Sequence, residues 1–264
     1  MNPSFPRLVS LEPSITATLL ALNRHHLLVA GSEHDRRLLG DQVAHLPVVP
    51  STWAVRAADV LQFHPDLVIA SVPFREQSLA ELLKAGLHVL SLYPRDLASV
   101  YQTIRLLAAL TDARKAGEQI VADMQATFEH LRTLTAHRPP TRVYVETWPR
   151  PLISAPLWVA ELVEIVGGRF VPPGPGRQVT EDEVITADPE VIVVAWPGVD
   201  NPPLERVYAR PGWEDVAAIR NRRVVAVNEI VLNAPGPNLV HAAHLLADVI
   251  APEEGSDIEK IHHT

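Results

Sequence analysis

No cysteine occurs among the 264 residues, which excludes disulfides, thiolate metal sites and a cysteine nucleophile. No apolar run approaches the roughly 20 residues that cross a bilayer, so membrane insertion is not expected. Lys and Arg form no cluster, and a formal net charge of −8 works against phosphate backbones, which sets nucleic acid aside as a partner. Also missing are a Gly-rich phosphate loop, a nucleophile elbow and a paired His–carboxylate zinc motif. The stretch Gly174-Pro-Gly176 is no substitute, because proline offers no N–H to a phosphate. The chain is therefore expected to be no enzyme, with no catalytic residue and no covalent cofactor. Its first residues, Met1-Asn-Pro-Ser-Phe-Pro-Arg7, contain no basic, apolar and small-residue succession of an export leader. The expected location is periplasmic or extracytoplasmic if a leader was removed, and cytoplasmic if Met1 is the native start.

What is present is a large apolar content, 47% of residues, enough for one large domain or two modest ones. One phrase is written twice. Asp59-Val-Leu-Gln-Phe-His-Pro-Asp-Leu-Val-Ile-Ala-Ser71 returns as Glu183-Val-Ile-Thr-Ala-Asp-Pro-Glu-Val-Ile-Val-Val-Ala195. Each copy reads as a short helix, a proline break and a buried strand, so the chain is expected to hold two similar lobes.

Around each copy, strands and helices alternate. Strands are expected at 7–11, 27–30, 67–70 and 87–90, with helices at 14–22, capped by Ser14, at 57–62, and at 76–84, closed by Gly86. From Leu97 the period changes to 3–4: Leu97, Val100, Tyr101, Ile104, Leu107 and Ala108 form a stripe that Ile120, Met124, Phe128 and Leu131 continue. That spacing predicts a helical segment of about 40 residues, roughly 60 Å long, with room for a bend at Thr111-Asp112. After Pro139-Pro140 the pattern restarts, with strands at 142–146, 191–195 and 224–227 and helices at 157–166, 181–186 and 238–250. The fold class is α/β: two Rossmann-like lobes, 1–95 and 139–252, bridged by a long helix, 96–138, and followed by a tail, 253–264. Proline-rich loops such as Pro172-Pro-Gly-Pro-Gly176 stiffen the rims, and a cleft that closes little is expected.

Open α/β lobes hold ligands outside the carboxyl ends of their strands. Those ends are expected to carry Pro13, Ser14, His34, Asp35, the 71–74 stretch with Phe74, Trp148 and Trp196, and Trp53 lies in a connection. Three indoles in connections present flat faces with one N–H each, which suits a bulky planar macrocycle or an aromatic chelate, although Trp148 and Trp196 read equally as lids on the sheet ends. Trp158 and Trp213 fall within helical patterns and read as core. Among the 12 histidines, His241 and His244 are three apart on the last helix, but no further ligand pattern accompanies them and they read as a solvated face. No metal site is nominated; His34 is at most an axial ligand, and a hydrogen-bond donor is the preferred role.

The opening Arg7-Leu-Val-Ser-Leu-Glu-Pro-Ser-Ile-Thr16, the strand after Pro65, the long helix, the Gly167-Gly168 turn and Pro211-Gly-Trp-Glu-Asp-Val-Ala-Ala-Ile-Arg-Asn-Arg-Arg-Val-Val-Ala-Val227 together resemble the helical-backbone family of substrate-binding proteins. These deliver cobalamin, haem and ferric siderophores to ABC importers. Ser51-Thr-Trp53 and Arg75-Glu-Gln77 are similar to the cobalamin-binding branch. The resemblance implies a monomer with a corrinoid or other metal chelate between the lobes, and little hinge motion. It also implies docking on an ABC permease dimer through one acidic residue per lobe, Glu76 and Asp182. The chain departs from the cobalamin pattern in its final loop, with Ile230 and Ala234 where that branch has charged groups, and at 174–177, where it lacks a tryptophan. Two other readings stay open: a cytosolic corrinoid or tetrapyrrole carrier or sensor without a transporter, and a chelatase-like metallocofactor enzyme.

Overall fold

The computed structural model describes residues 5–50, 54–71, 75–199 and 201–250. The chain divides into two compact units, Met1–Met124 with Ala234–Asn238, and Gln125–Asn233 with Leu239–Thr264.

The first unit runs β1 (Leu8–Ser10), α1 (Pro13–Ala21), β2 (Leu28–Ser32), α2 (Glu33–Leu39), β3 (Val48–Val49), α3 (Ala57–Leu61), β4 (Leu67–Ser71), α4 (Glu76–Lys84), β5 (Val89–Leu92) and α5 (Leu97–Leu110). Its five strands lie in the order β3-β2-β1-β4-β5, all parallel. Because a strand alternates its side chains between faces, Leu8, Leu67 and Ile69 enter one apolar cluster with α1 and α5 residues, while Val9, Val68 and Ala70 enter another with Val60 and Leu82. Burial on both faces is why these strands read as unbroken apolar runs.

The expected helix of about 40 residues is two helices. After α5 the chain turns at Asp112, which has φ 53°, and α6 (Arg114–Thr135) follows. The turn is sealed by Arg24, whose Nε and Nη2 donate to the carbonyls of Thr111 and Asp112 at 2.8 and 3.0 Å. At 22 residues, α6 is about 33 Å long, and the boundary between the units falls within it.

The second unit continues with β6 (Thr141–Pro149), β7 (Leu152–Ser154), α7 (Leu157–Ile165), β8 (Gly168–Phe170), α8 (Glu181–Ala187), β9 (Val191–Val194), α9 (Glu205–Tyr208), α10 (Ala217–Arg220), β10 (Val224–Ala226), α11 (Glu229–Asn233) and α12 (Leu239–Ile250). Strand β6 is central. Parallel β9 flanks it on one side; on the other, its first half pairs parallel with β8 and its second half antiparallel with β7. Strand β10 pairs parallel with β9.

The written repeat is a structural repeat. His64 and Asp188, each just before the proline, have φ 46° and 44°, a left-handed conformation unusual for residues other than glycine. In both units an arginine at the start of the first strand, Arg7 just before β1 and Arg142 as the second residue of β6, clasps this corner. Arg7 Nε donates to the His64 carbonyl at 2.8 Å and Arg142 Nε to that of Asp188 at 2.6 Å. The backbone N–H groups of Arg7 and Arg142 donate to the carboxylates of Asp66 and Glu190 at 3.0 and 2.9 Å. Asp66 and Glu190 donate their own N–H groups back to the carbonyls of Arg7 and Arg142, both at 2.8 Å.

Candidate ligand-binding site

In the first unit the strand order reverses direction about β1 and β4, and the carboxyl ends of that pair are where such a sheet takes ligands. Pro13 and Ser14 follow β1, both buried. Pro13 occupies the first turn of α1, where a missing N–H costs nothing. Ser14 is not the cap: Glu12 is, and no side chain caps it. The Ser14 carbonyl instead accepts the Thr18 hydroxyl at 2.7 Å. Beside it the Thr16 hydroxyl donates to Ser10 Oγ at 2.8 Å, and Ser10 Oγ donates to the Glu12 carbonyl at 3.0 Å.

His34 and Asp35 belong to the first turn of α2 and not to a loop. Ser32 and Asp35 form its capping box, with Asp35 N donating to Ser32 Oγ and Ser32 N to Asp35 Oδ2. His34 is exposed, whereas Asp35 is only 1% exposed. Burial pushes the Asp35 carboxyl up to about 6, against the opposing pull of the Ser32 backbone and of the Thr16 and Ser32 hydroxyls. Its Oδ1 accepts no hydrogen bond. Asp35 is thus a structural cap held at an electrostatic cost. Trp53 and Phe74 lie outside the described residues.

In the second unit the corresponding ends are those of β6 and β9. Trp148, near the end of β6, is 43% exposed, and its indole N–H donates to the Arg150 carbonyl at 3.0 Å. Trp196 is a different case. It follows β9, is 4% exposed and packs in the core with Tyr144, Trp213 and Val207. Its N–H donates to Glu146 Oε1 at 2.9 Å. An indole this buried, with its one donor spent on Glu146, favours the alternative reading of Trp196 as a lid on the sheet end. Trp213 is core as expected, although in a turn and not a helix, and Trp158 lies on α7, half-buried.

One group escaped the sequence reading. Glu146, on β6, is 0% exposed, and both its oxygens meet Arg210, at 2.7 Å each. The guanidinium, 11% exposed, lies 4.6 Å from the Trp213 ring centre. Burial, and then the charge of Glu146, raises the neighbouring Tyr144 phenol well above its ordinary range. An acid inside a buried strand was the available signal; its partner, 64 residues away, was not.

His241 and His244 are exposed on α12. Among the described residues no three His, Asp or Glu side chains gather in a way that would hold a metal ion. Glu76 is exposed in the first turn of α4 and Asp182 in the first turn of α8.

A family model described as periplasmic binding protein matches residues 8–230. The chain belongs to the periplasmic binding protein family. A vitamin B12-binding protein of Vibrio cholerae serotype O1 is 26% identical over 244 residues, 89% of this chain and 86% of that protein. An ABC transporter substrate-binding lipoprotein of Bacillus subtilis, YvrC, is 24% identical over 260 residues, 94% of this chain and 80% of the relative. Among solved structures, the apo form of the periplasmic heme-binding protein RhuT from Roseiflexus sp. RS-1 superposes with a TM-score of 0.80 at 22% identity, covering 97% of this chain and 99% of that one. The periplasmic vitamin B12-binding protein BtuF of Vibrio cholerae gives 0.73 at 22% identity, covering 98% and 99%. At these identities the two structures establish the shared fold.

Proposed function

We propose that this protein is the solute-binding component of an ABC-type importer, working outside the cytoplasmic membrane, and that its ligand is a corrinoid or similar metal chelate. Cobalamin is the leading candidate, ahead of haem and ferric siderophores. Family membership supports the binding role, and the vitamin B12-binding relatives over most of the chain support the ligand class. The observation that carries the reading is the half-exposed indole of Trp148 at the carboxyl end of β6, where open α/β sheets take ligands and where a flat apolar face suits a macrocycle. With it the proposed set comprises Pro13, Ser14, His34, Trp53 and Phe74. No catalytic chemistry enters this role. The chain binds, orients and releases.

The test is tryptophan emission during titration with cobalamin and haemin. Binding beside Trp148 is expected to quench that emission, and Trp148→Ala to weaken binding by about 1–3 kcal/mol, the range of a buried aromatic anchor. Unchanged affinity in that variant would remove Trp148 from the site.

A further inference from the structure

We infer that the buried Glu146–Arg210 pair is a positioning device that sets the pose of Trp148. Strand geometry is the starting point. Residues two apart on a strand share a face, so an undisturbed β6 would send Trp148 into the same buried layer as Glu146. The pairing of β6 with β7 is irregular between these two residues: Glu146 lies opposite Ser154, and Trp148 opposite Ile153. This bulge is what frees the indole to face solvent. Bulges bend the strand and re-aim side chains, and an anchor that fixes the strand on one side would set the direction of that bend.

Glu146 is that anchor. Its carboxylate accepts two bonds from Arg210 and one from Trp196, and its carbonyl accepts Ala195 N at 2.9 Å. One residue before the bulge is therefore tied to the end of β9 and to the segment after α9. A buried ion pair is a poor source of stability, because desolvation offsets the Coulomb gain and apolar replacements are often as stable. What such a pair supplies is direction: a fork of two short bonds fixes the strand end in one orientation.

The proposal rests on the reading that Trp148 meets the ligand, and its test separates the two. Acrylamide quenching of wild type minus that of Trp148→Phe isolates Trp148 without any ligand. The apolar double variant Glu146→Met/Arg210→Leu is expected to melt at or above the wild-type temperature. It should also leave Trp148 about twofold less accessible to acrylamide, as the relaxed strand turns the indole toward the buried layer, and bind cobalamin or haemin about tenfold more weakly, as when the support behind a contact residue is removed. Glu146→Gln, which keeps the size and one acceptor, secures the test if the double variant fails to fold; its accessibility change should be smaller and of the same sign. Wild-type quenching in both variants would overturn the proposal, as would wild-type quenching in Glu146→Gln alone. Wild type that binds neither ligand would overturn the function proposed above, while quenching still decides the role of the pair.

Discussion

Asp35 is a residue whose ordinary task conflicts with its surroundings. As the third residue of α2 it completes a capping box, a role that favours the carboxylate, yet burial raises its pKa from 3.8 to about 6. A carboxyl with a raised folded-state pKa contributes stability that is complete below about pH 4 and is lost as pH rises through about 6. Two pH units correspond to about 3 kcal/mol. Asp35→Asn keeps an oxygen for the Ser32 N–H and removes the charge. Urea unfolding should therefore find the variant more stable than wild type at pH 7 and little changed at pH 4; parallel pH profiles for the two proteins would contradict this assignment. The box is legible as Ser32-x-x-Asp35, the same spacing as Thr180 and Glu183 on α8, where the structure also has both reciprocal bonds. Reading Asp35 as a ligand contact followed from treating the segment after β2 as a loop. Trp196 shows a related limit of sequence position: standing after a strand says that a side chain can reach the sheet end, and only the fold says which way it turns.

At the level of elements, apolar runs identified β1, β4, β6, β9 and β10, because strands buried on both faces carry little else. The short strands β3, β7 and β8 escaped notice, since two or three residues cannot display a period. Helices α5 and α6 share a stripe whose period crosses the turn at 111–113, so the stripe announced helix, and the bend allowed for at Thr111-Asp112 is the turn that separates the two. Gly117 records how closely the two helices pass. A glycine inside a helix costs about 1 kcal/mol relative to alanine, and here an added Cβ would collide with the Cβ of Ala108. Gly117→Ala is therefore expected to lower stability by about 1 kcal/mol despite its better helix propensity, since overpacking typically costs about 1–3 kcal/mol. Gly117→Leu should cost more. Calorimetric melting of both variants checks the order, and a gain in Gly117→Ala would mean that the helices have room to part.

For the molecule as a whole, the duplicated phrase proved to be a duplicated corner, with the same left-handed residue, proline, carboxylate and arginine clasp in each unit. This much was visible in the chain because proline and an acid one residue on are readable marks, whereas the arginines, 57 and 46 residues away from the carbonyls they reach, were not. The exposed carboxylates Glu76 and Asp182 carry the proposed docking. If each meets an arginine of the importer, Glu76→Arg with Asp182→Arg should abolish complex formation with the transporter while leaving ligand affinity as in wild type, because rim charges steer encounter more than they hold ligand. A pull-down that recovers the double variant as well as wild type would end that role. The central claim, that this chain carries a metal chelate, is tested most directly by calorimetric titration of the purified protein with cobalamin, haemin and a ferric catecholate. Saturable heat for one of them, with a melting temperature that climbs as that ligand is raised above its dissociation constant, is the expected result. No heat and an unmoved melting temperature with all three, at concentrations far above micromolar, would contradict it.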